Sequence, residues 1–299
     1  MSETHVHDHG ANSHGGHHHS AAADDDYTDL LDLDAEVLAG YWSAALDWVQ
    51  EAAAGGARAR LLDLGAGTGV GALGLARRYP EAEVVALDVS PVGIARIRAK
   101  ADGLGLAGRV RTVEADLDLG WPAELSGLDL TWASMSLHHM ADPSRVLRDA
   151  LAATGPGGLI AVAEFSQPLR FLPGGFPADD PGLGQPGFED RVLDLLGRAH
   201  AADMPTLGSQ WAPRLADAGW TVVAERDFPI DQDPPSHPDA PRYARAWFAR
   251  LSEGRLDQLE PCDQATLARL LDDSSPHSLL RLGNLHIRGV RTVTLGRRD

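Results

Sequence analysis

The chain has 299 residues, enough to bury a sizeable core, and its formal net charge of −17 argues against a nucleic-acid phosphate backbone as its main partner. The single cysteine, Cys262, cannot form an intrachain disulfide, so a reducing, cytoplasmic setting is expected. No apolar run is long enough to span a membrane, and neither a membrane partner nor an apolar leader is expected.

Met1 to Asp26 is low in complexity. It carries His5, His7, His9, His14, His17, His18 and His19, then Asp24, Asp25 and Asp26. With little to bury, it reads as a disordered tail over residues 1–26. Neutral imidazoles bind zinc, nickel or copper, but the spacing is irregular and no cysteine supplements it. Weak, promiscuous metal binding is the expectation, and no defined metal site. Residues 27–299 read as one domain. Asp32 or Asp34 is expected to cap a helix with apolar positions Val37, Leu38, Tyr41, Trp42, Leu46 and Val49, ended by Gly55-Gly56.

Leu61 to Leu64 is an apolar run of strand length, followed by the tight turn Gly65-Ala66-Gly67-Thr68-Gly69. Gly71 to Arg78 has helix-compatible spacing, and Val84 to Leu87 is a second strand ending on Asp88. Glycines let a ligand approach the backbone, helix N-terminal amides favour negative charge, and a carboxylate at this distance suits two ribose hydroxyls. A dinucleotide fingerprint needs glycine where Val70 stands, which disfavours a nicotinamide cofactor. Val110 to Val113 is a third strand, followed by Ala115-Asp116-Leu117. Leu128 to Met140 holds a fourth strand, and Asp129 is expected to start it. Gly155-Pro156-Gly157-Gly158 precedes a fifth strand, Leu159 to Ala163, which Glu164 closes. Alternating strands and helices predict a parallel sheet with crossover helices.

Beyond it, Phe171 to Pro186 is a glycine- and proline-rich loop. Helices are expected over Gly187 to Met204 and Trp211 to Ala218, and a strand over Trp220 to Ala224. After a linker at Pro234 to Pro241 come helical stretches near Tyr243 to Leu251 and Gln264 to Leu271. A last strand spans Leu285 to Leu295, with Gly289 suggesting a bulge.

The ordered set, Asp63-x-Gly65-x-Gly67-x-Gly69, Asp88, Asp116, the strand running into Leu137-His138-His139 and the Gly155 turn, resembles class I S-adenosylmethionine (SAM) methyltransferases of the bacterial small-molecule type. The resemblance runs from about Asp32 to the C-terminus. It implies a seven-stranded, mostly parallel, doubly wound α/β sheet with the last strand antiparallel. It also implies helical caps at about 171–204 and 231–284 over an acceptor pocket. The implied cofactor is SAM, held by Asp63, Gly65, Ala66, Gly67, Gly69, Asp88, Val89, Asp116, Leu117 and Ala133. In such enzymes the glycine loop faces the amino acid part of SAM, and the acid matching Asp116 accepts from the adenine amino group. The implied partner is a small-molecule acceptor, methylated at oxygen, nitrogen or carbon; a homo-oligomer stays open.

Methyl transfer from a sulfonium is an in-line displacement, so alignment and water exclusion do most of the work. A base is needed only where the acceptor must lose a proton. His138 is the first candidate for that base and Glu164 the second, with packing or helix capping as the plainer role for the histidine. Tyr41, Trp42, Phe171, Phe176, Tyr243, Trp247 and Phe248 are placed either at a pocket mouth or in the core. Arg170, Arg242 and Arg281 either meet an acidic substrate or lie on a solvated surface. Two rival readings are a non-catalytic SAM-binding protein and a metal-handling protein acting through its histidine-rich tail.

Overall fold

Leu61 faces one buried layer while Leu62 and Leu64 face the other, which makes the run a central strand, β1 (Arg60–Leu64). The protein is seen in a computed structural model that describes residues 21–54, 56, 58–177, 183–208, 210–234, 237–252 and 256–299. Parallel to β1 on one side lie β2 (Glu83–Asp88) and β3 (Val110–Glu114). On the other side lie β4 (Leu128–Ser134) and β5 (Thr154–Arg170). β6 (Thr221–Gln232) and β7 (Ile287–Arg297) complete the sheet, with β7 inserted antiparallel between β5 and β6. The strand order β3-β2-β1-β4-β5-β7-β6 is the mostly parallel seven-stranded sheet that the sequence predicts.

Helices cover both faces. α1 (Ala21–Val37), α2 (Ala39–Ala52), α3 (Val70–Arg78), α4 (Pro91–Gly103), α6 (Phe188–Asp203), α8 (Ala240–Ser252) and α9 (Pro261–Leu271) contribute to one core. α5 (Pro143–Ala153) and α7 (Trp211–Asp217) contribute to the other. α6 and α9, from the two expected insertions, are joined by the Arg191 guanidinium, which donates to both oxygens of Asp263 at 2.7 and 2.8 Å. The ring of Phe171 packs on Tyr243, Trp247 and Phe248 of α8. The two insertions therefore form one layer.

Four expectations are corrected. The single N-terminal helix is two helices meeting at Leu38, and neither Asp32 nor Asp34 caps them. Asp34 is held instead by a buried guanidinium: Arg291 NH1 and NH2 donate to its two oxygens. Ala21 to Asp26, expected within the tail, open α1, while the histidines of residues 1–20 lie outside the described residues. Glu164 does not close β5, which continues to Arg170 because β7 extends its pairing. The irregular pairing lies in β5 rather than at Gly289: Phe165, Gln167 and Arg170 pair with Arg291, Val290 and Arg288, so the extra residues fall on β5. Gly289 faces them, and a Cβ there would lie 2.9 Å from Leu169 Cδ2.

Candidate active site

In this strand order the chain reverses direction between β1 and β4, and open α/β sheets bind ligands in the crevice such a reversal leaves at the C-terminal strand ends. The glycine turn leaves β1 there. Gly65, Gly67 and Gly69 have φ of +68°, +54° and +88°, a region that side chains disfavour. Gly65 also needs the space: a Cβ would lie 2.4 Å from Ser136 Cβ. Ser136, two residues past β4, donates its hydroxyl to Leu64 O at 2.8 Å, so the end of β4 is fixed to the glycine turn. Ala66 N donates to Leu87 O at 2.8 Å, tying the turn to β2.

Asp88 sits where β2 meets this turn. Its Oδ2 accepts from Gly67 N at 2.7 Å and its Oδ1 from Ser90 N at 2.8 Å. Burial raises the Asp88 pKa above the ordinary carboxylate value, against the pull of those amides. Each oxygen keeps acceptor capacity beyond its one amide. Asp63 has a different task. It is buried, and its Oδ2 accepts from Ala72 N at 2.6 Å, pinning the start of α3. Burial, with the Asp88 charge adding to it, pushes the Asp63 carboxyl up to about 7.

The other residues implied for the cofactor differ in exposure. Val89 is 63% exposed, an unusual state for a valine that follows a buried strand. Asp116 is exposed, with Oδ1 accepting from Asp118 N at 2.8 Å. Leu117 is buried, and its carbonyl accepts from Arg145. Ala133 is buried in β4, paired in register with Leu64.

Past β4 the backbone turns at Met135, which among the described non-glycine residues alone has positive φ, at +54°. Strain of this kind persists where surrounding structure over-determines it, often at functional sites. The short 3-10 turn Leu137–His139 follows. His138 Nδ1 lies 2.6 Å from Glu164 Oε2, and the two residues are 5% and 2% exposed. The two catalytic candidates, 26 positions apart, therefore form one pair. Glu164 Oε1 is buried without a hydrogen-bond partner among the described residues. A carboxylate on Nδ1 fixes that nitrogen as the N–H, so Nε2 carries the lone pair that can take a proton.

The candidate aromatics are mostly core. Tyr41, Phe171, Tyr243 and Phe248 are buried, while Trp42, Phe176 and Trp247 pack partly buried against them. Arg170 pairs with Asp190, Arg242 with Asp239, and Arg281 donates to Asp273 O. Asp129 accepts from the amides of Ala59 and Arg60, a structural role at the base of β1. Sequence reasoning missed Arg291. Its guanidinium is sealed between the rings of Tyr41, Phe165 and Trp42 at 4.7, 5.4 and 5.9 Å. Burial would lower its pKa, but the Asp34 carboxylate wins and holds it above the ordinary arginine value. The available signal was register: Arg291 shares a face with Val293 and Leu295.

A methyltransferase-domain family profile matches residues 61–158, the segment that builds the crevice. The chain is 36% identical over 152 residues to the malonyl-[acyl-carrier protein] O-methyltransferase of Halorhodospira halophila, covering 45% of this chain and 50% of that one. It is 37% identical over 138 residues to the demethylmenaquinone methyltransferase of Thermus thermophilus, covering 46% and 58%. It thus spans about half the length of the curated relatives it matches. Among solved structures, the [4+2]-cyclase SpnF shares the fold, with a TM-score of 0.50 over 86% of this chain and 80% of that one at 22% identity.

The strand order is that of a Rossmann-like fold with an antiparallel last strand. The profile match falls on the segment that carries the glycine turn, Asp88 and Asp116, so residues 61–158 are similar to a methyltransferase domain. Among the described residues, no helix is long and apolar enough to cross a membrane.

Proposed function

We propose that the protein transfers a methyl group from SAM to a small-molecule acceptor, with His138 taking the proton the acceptor loses. The carrying observation is the buried His138–Glu164 pair at the end of β4, two residues from the serine that packs on Gly65. The crevice fits the cofactor. Asp88 has acceptor capacity left on both oxygens for the ribose hydroxyls, and Val89 offers an exposed apolar surface for the flat base. Asp116 is exposed where it can reach the adenine amino group, and Gly65, Gly67 and Gly69 add no side chains of their own beside the amino acid part. When bound, SAM supplies an activated sulfonium methyl. The chain's own work is to align the acceptor, exclude water and hold the proton. Glu164 fixes the imidazole through Nδ1 and stabilises it once Nε2 has taken the acceptor's proton.

The test is a methyl-transfer screen over metabolite extracts, followed by His138→Ala and Glu164→Gln on the acceptor found. Turnover in His138→Ala should fall by about 10²- to 10⁴-fold with SAM affinity kept, at a temperature below the lowered melting point that follows from leaving Glu164 buried and unpaired. A loss below tenfold would leave alignment as the whole catalytic contribution. One observation favours a second reading, SAM binding without transfer: both members of the pair are almost sealed. That reading predicts SAM binding with no S-adenosylhomocysteine formed in any extract.

A further inference from the structure

We infer that the cleft opened by the irregular pairing of β5 and β7 binds a phosphoryl group, held between Arg170 and Arg288. The inference does not depend on the crevice holding SAM. Gln167 of β5 pairs with Val290 of β7 and Arg170 pairs with Arg288, so Pro168 and Leu169 stand against Gly289. A bulge of this kind bends its strand and re-aims the side chains beside it. Here it leaves a cleft of about 230 Å³ lined by Gln167, Pro168, Arg170, Arg288 and Gly289. Gly289 brings no side chain into that space, and a Cβ there would meet Leu169.

Arg170 and Arg288 stand directly opposite each other, and like charges so placed destabilise a sheet. The carboxylates nearby offset this unequally. Arg170 Nη1 lies 2.6 Å from Asp190 Oδ1. Among the described residues, the carboxylate that meets Arg288 is Glu189, and only at 3.9 Å. The other Glu189 oxygen, Oε1, already accepts from the amides of Phe171 and Leu172 at 2.6 and 3.2 Å. Asp231, opposite Arg288 in the β6 register, is held by His286 at 2.5 Å. Arg288 Nη2 donates to Leu172 O at 2.6 Å, while its Nε is buried with no hydrogen-bond partner among the described residues. A buried N–H without a partner is costly, and a ligand oxygen removes that cost. The cleft thus offers a weakly offset positive charge, an unpaired guanidinium donor and the exposed side-chain amide of Gln167. A tetrahedral phosphate has oxygens enough to meet both arginines and Gln167 together, and guanidinium forks suit its geometry. A carboxylate, whose two oxygens match a single fork, does not span both arginines as well.

The experiment is equilibrium dialysis of the full-length protein against radiolabelled inorganic phosphate, at constant ionic strength and at a pH of about 8, where the imidazoles of the histidine-rich stretch are neutral. Wild type should bind phosphate saturably, one per chain. Arg288→Gln and Arg170→Gln should each bind it about tenfold more weakly or worse, since each removes a charge-assisted contact. Arg288→Lys keeps the charge without the Nε donor and should fall between. Melting temperatures in phosphate-free buffer separate binding from folding. Arg170→Gln gives up one surface ion pair together with one repulsion, so it should melt no lower than wild type. It therefore carries the test if Arg288→Gln, which releases Leu172 O, does not fold. Glycerol phosphate is dialysed in parallel: tighter binding than inorganic phosphate assigns the cleft to a phosphate ester, and weaker binding assigns it to free phosphate. A wild type that binds no phosphate, or two glutamine variants that bind it as wild type does, overturns the inference.

Discussion

Asp63 and Asp88 are carboxylates at the ends of adjacent strands, and their surroundings divide the work between them. Asp88 faces the crevice with amides on both oxygens, whereas Asp63 is sealed with one amide, from Ala72. The Asp63 carboxyl, pushed up to about 7, stands well above the unfolded value of about 3.9. Between those values the folded state binds more protons than the unfolded state, so stability falls as pH rises. The contribution is complete below about pH 4 and lost as pH passes about 7. At ~1.4 kcal/mol per pKa unit, the upper bound is about 4 kcal/mol. Asp63→Asn keeps an acceptor for Ala72 without titrating. Its melting temperature relative to wild type should therefore climb between pH 5 and pH 8; a flat difference would contradict the assignment. His138 and Glu164 were legible one at a time, since His138 follows β4 and Glu164 follows the apolar run Leu159 to Ala163. Their pairing was not legible, because it depends on the β4–β5 register, in which Ser134 stands beside Ala163. No spacing in the sequence encodes a contact across 26 residues.

Among the elements, α1 shows what local reading loses. Its first residues lack apolar periodicity, so they read as a continuation of the histidine-rich stretch. Yet Tyr27, Leu31 and Asp34 share the helix face that meets the glycine turn, α8 and β7. The helix is specified by tertiary partners hundreds of residues away, Tyr243 and Arg291 above all, and local propensity carries little of that information. The Asp34–Arg291 pair holds this junction. Truncating Arg291 to alanine strands Asp34 among buried rings and should destabilise the fold by about 3–5 kcal/mol in urea titrations. Removing both charges, as Asp34→Leu with Arg291→Met, should recover most of that loss. An Arg291→Ala variant as stable as wild type would show that the pair contributes nothing to the joint. The strands were easier to read, because buried parallel strands are short apolar runs bounded by turns, and β1 and β2 each were one, while β4 came with the motif region Leu128 to Met140. β5 was read too short, since its extension past Ala163, Glu-Phe-Ser-Gln-Pro-Leu-Arg, keeps no strand period of its own and is held by pairing with β7.

At the scale of the molecule, the mostly parallel seven-stranded sheet and its antiparallel last strand followed from the family that four motifs in sequence order resemble. The acceptor did not follow from any motif. The layer that the two insertions form is packed through Phe171 on α8 and Arg191 on Asp263, long-range contacts with no sequence signature. The account as a whole turns on the crevice at the ends of β1 and β2 holding SAM. Calorimetric titration of the wild-type protein and of Asp88→Ala with SAM measures this most directly. Hydrogen bonds to a charged carboxylate contribute about 1.5–3 kcal/mol, so the wild type should bind and the variant should bind about tenfold more weakly or worse. A wild type that does not bind SAM, or a variant that binds it equally well, would contradict the account.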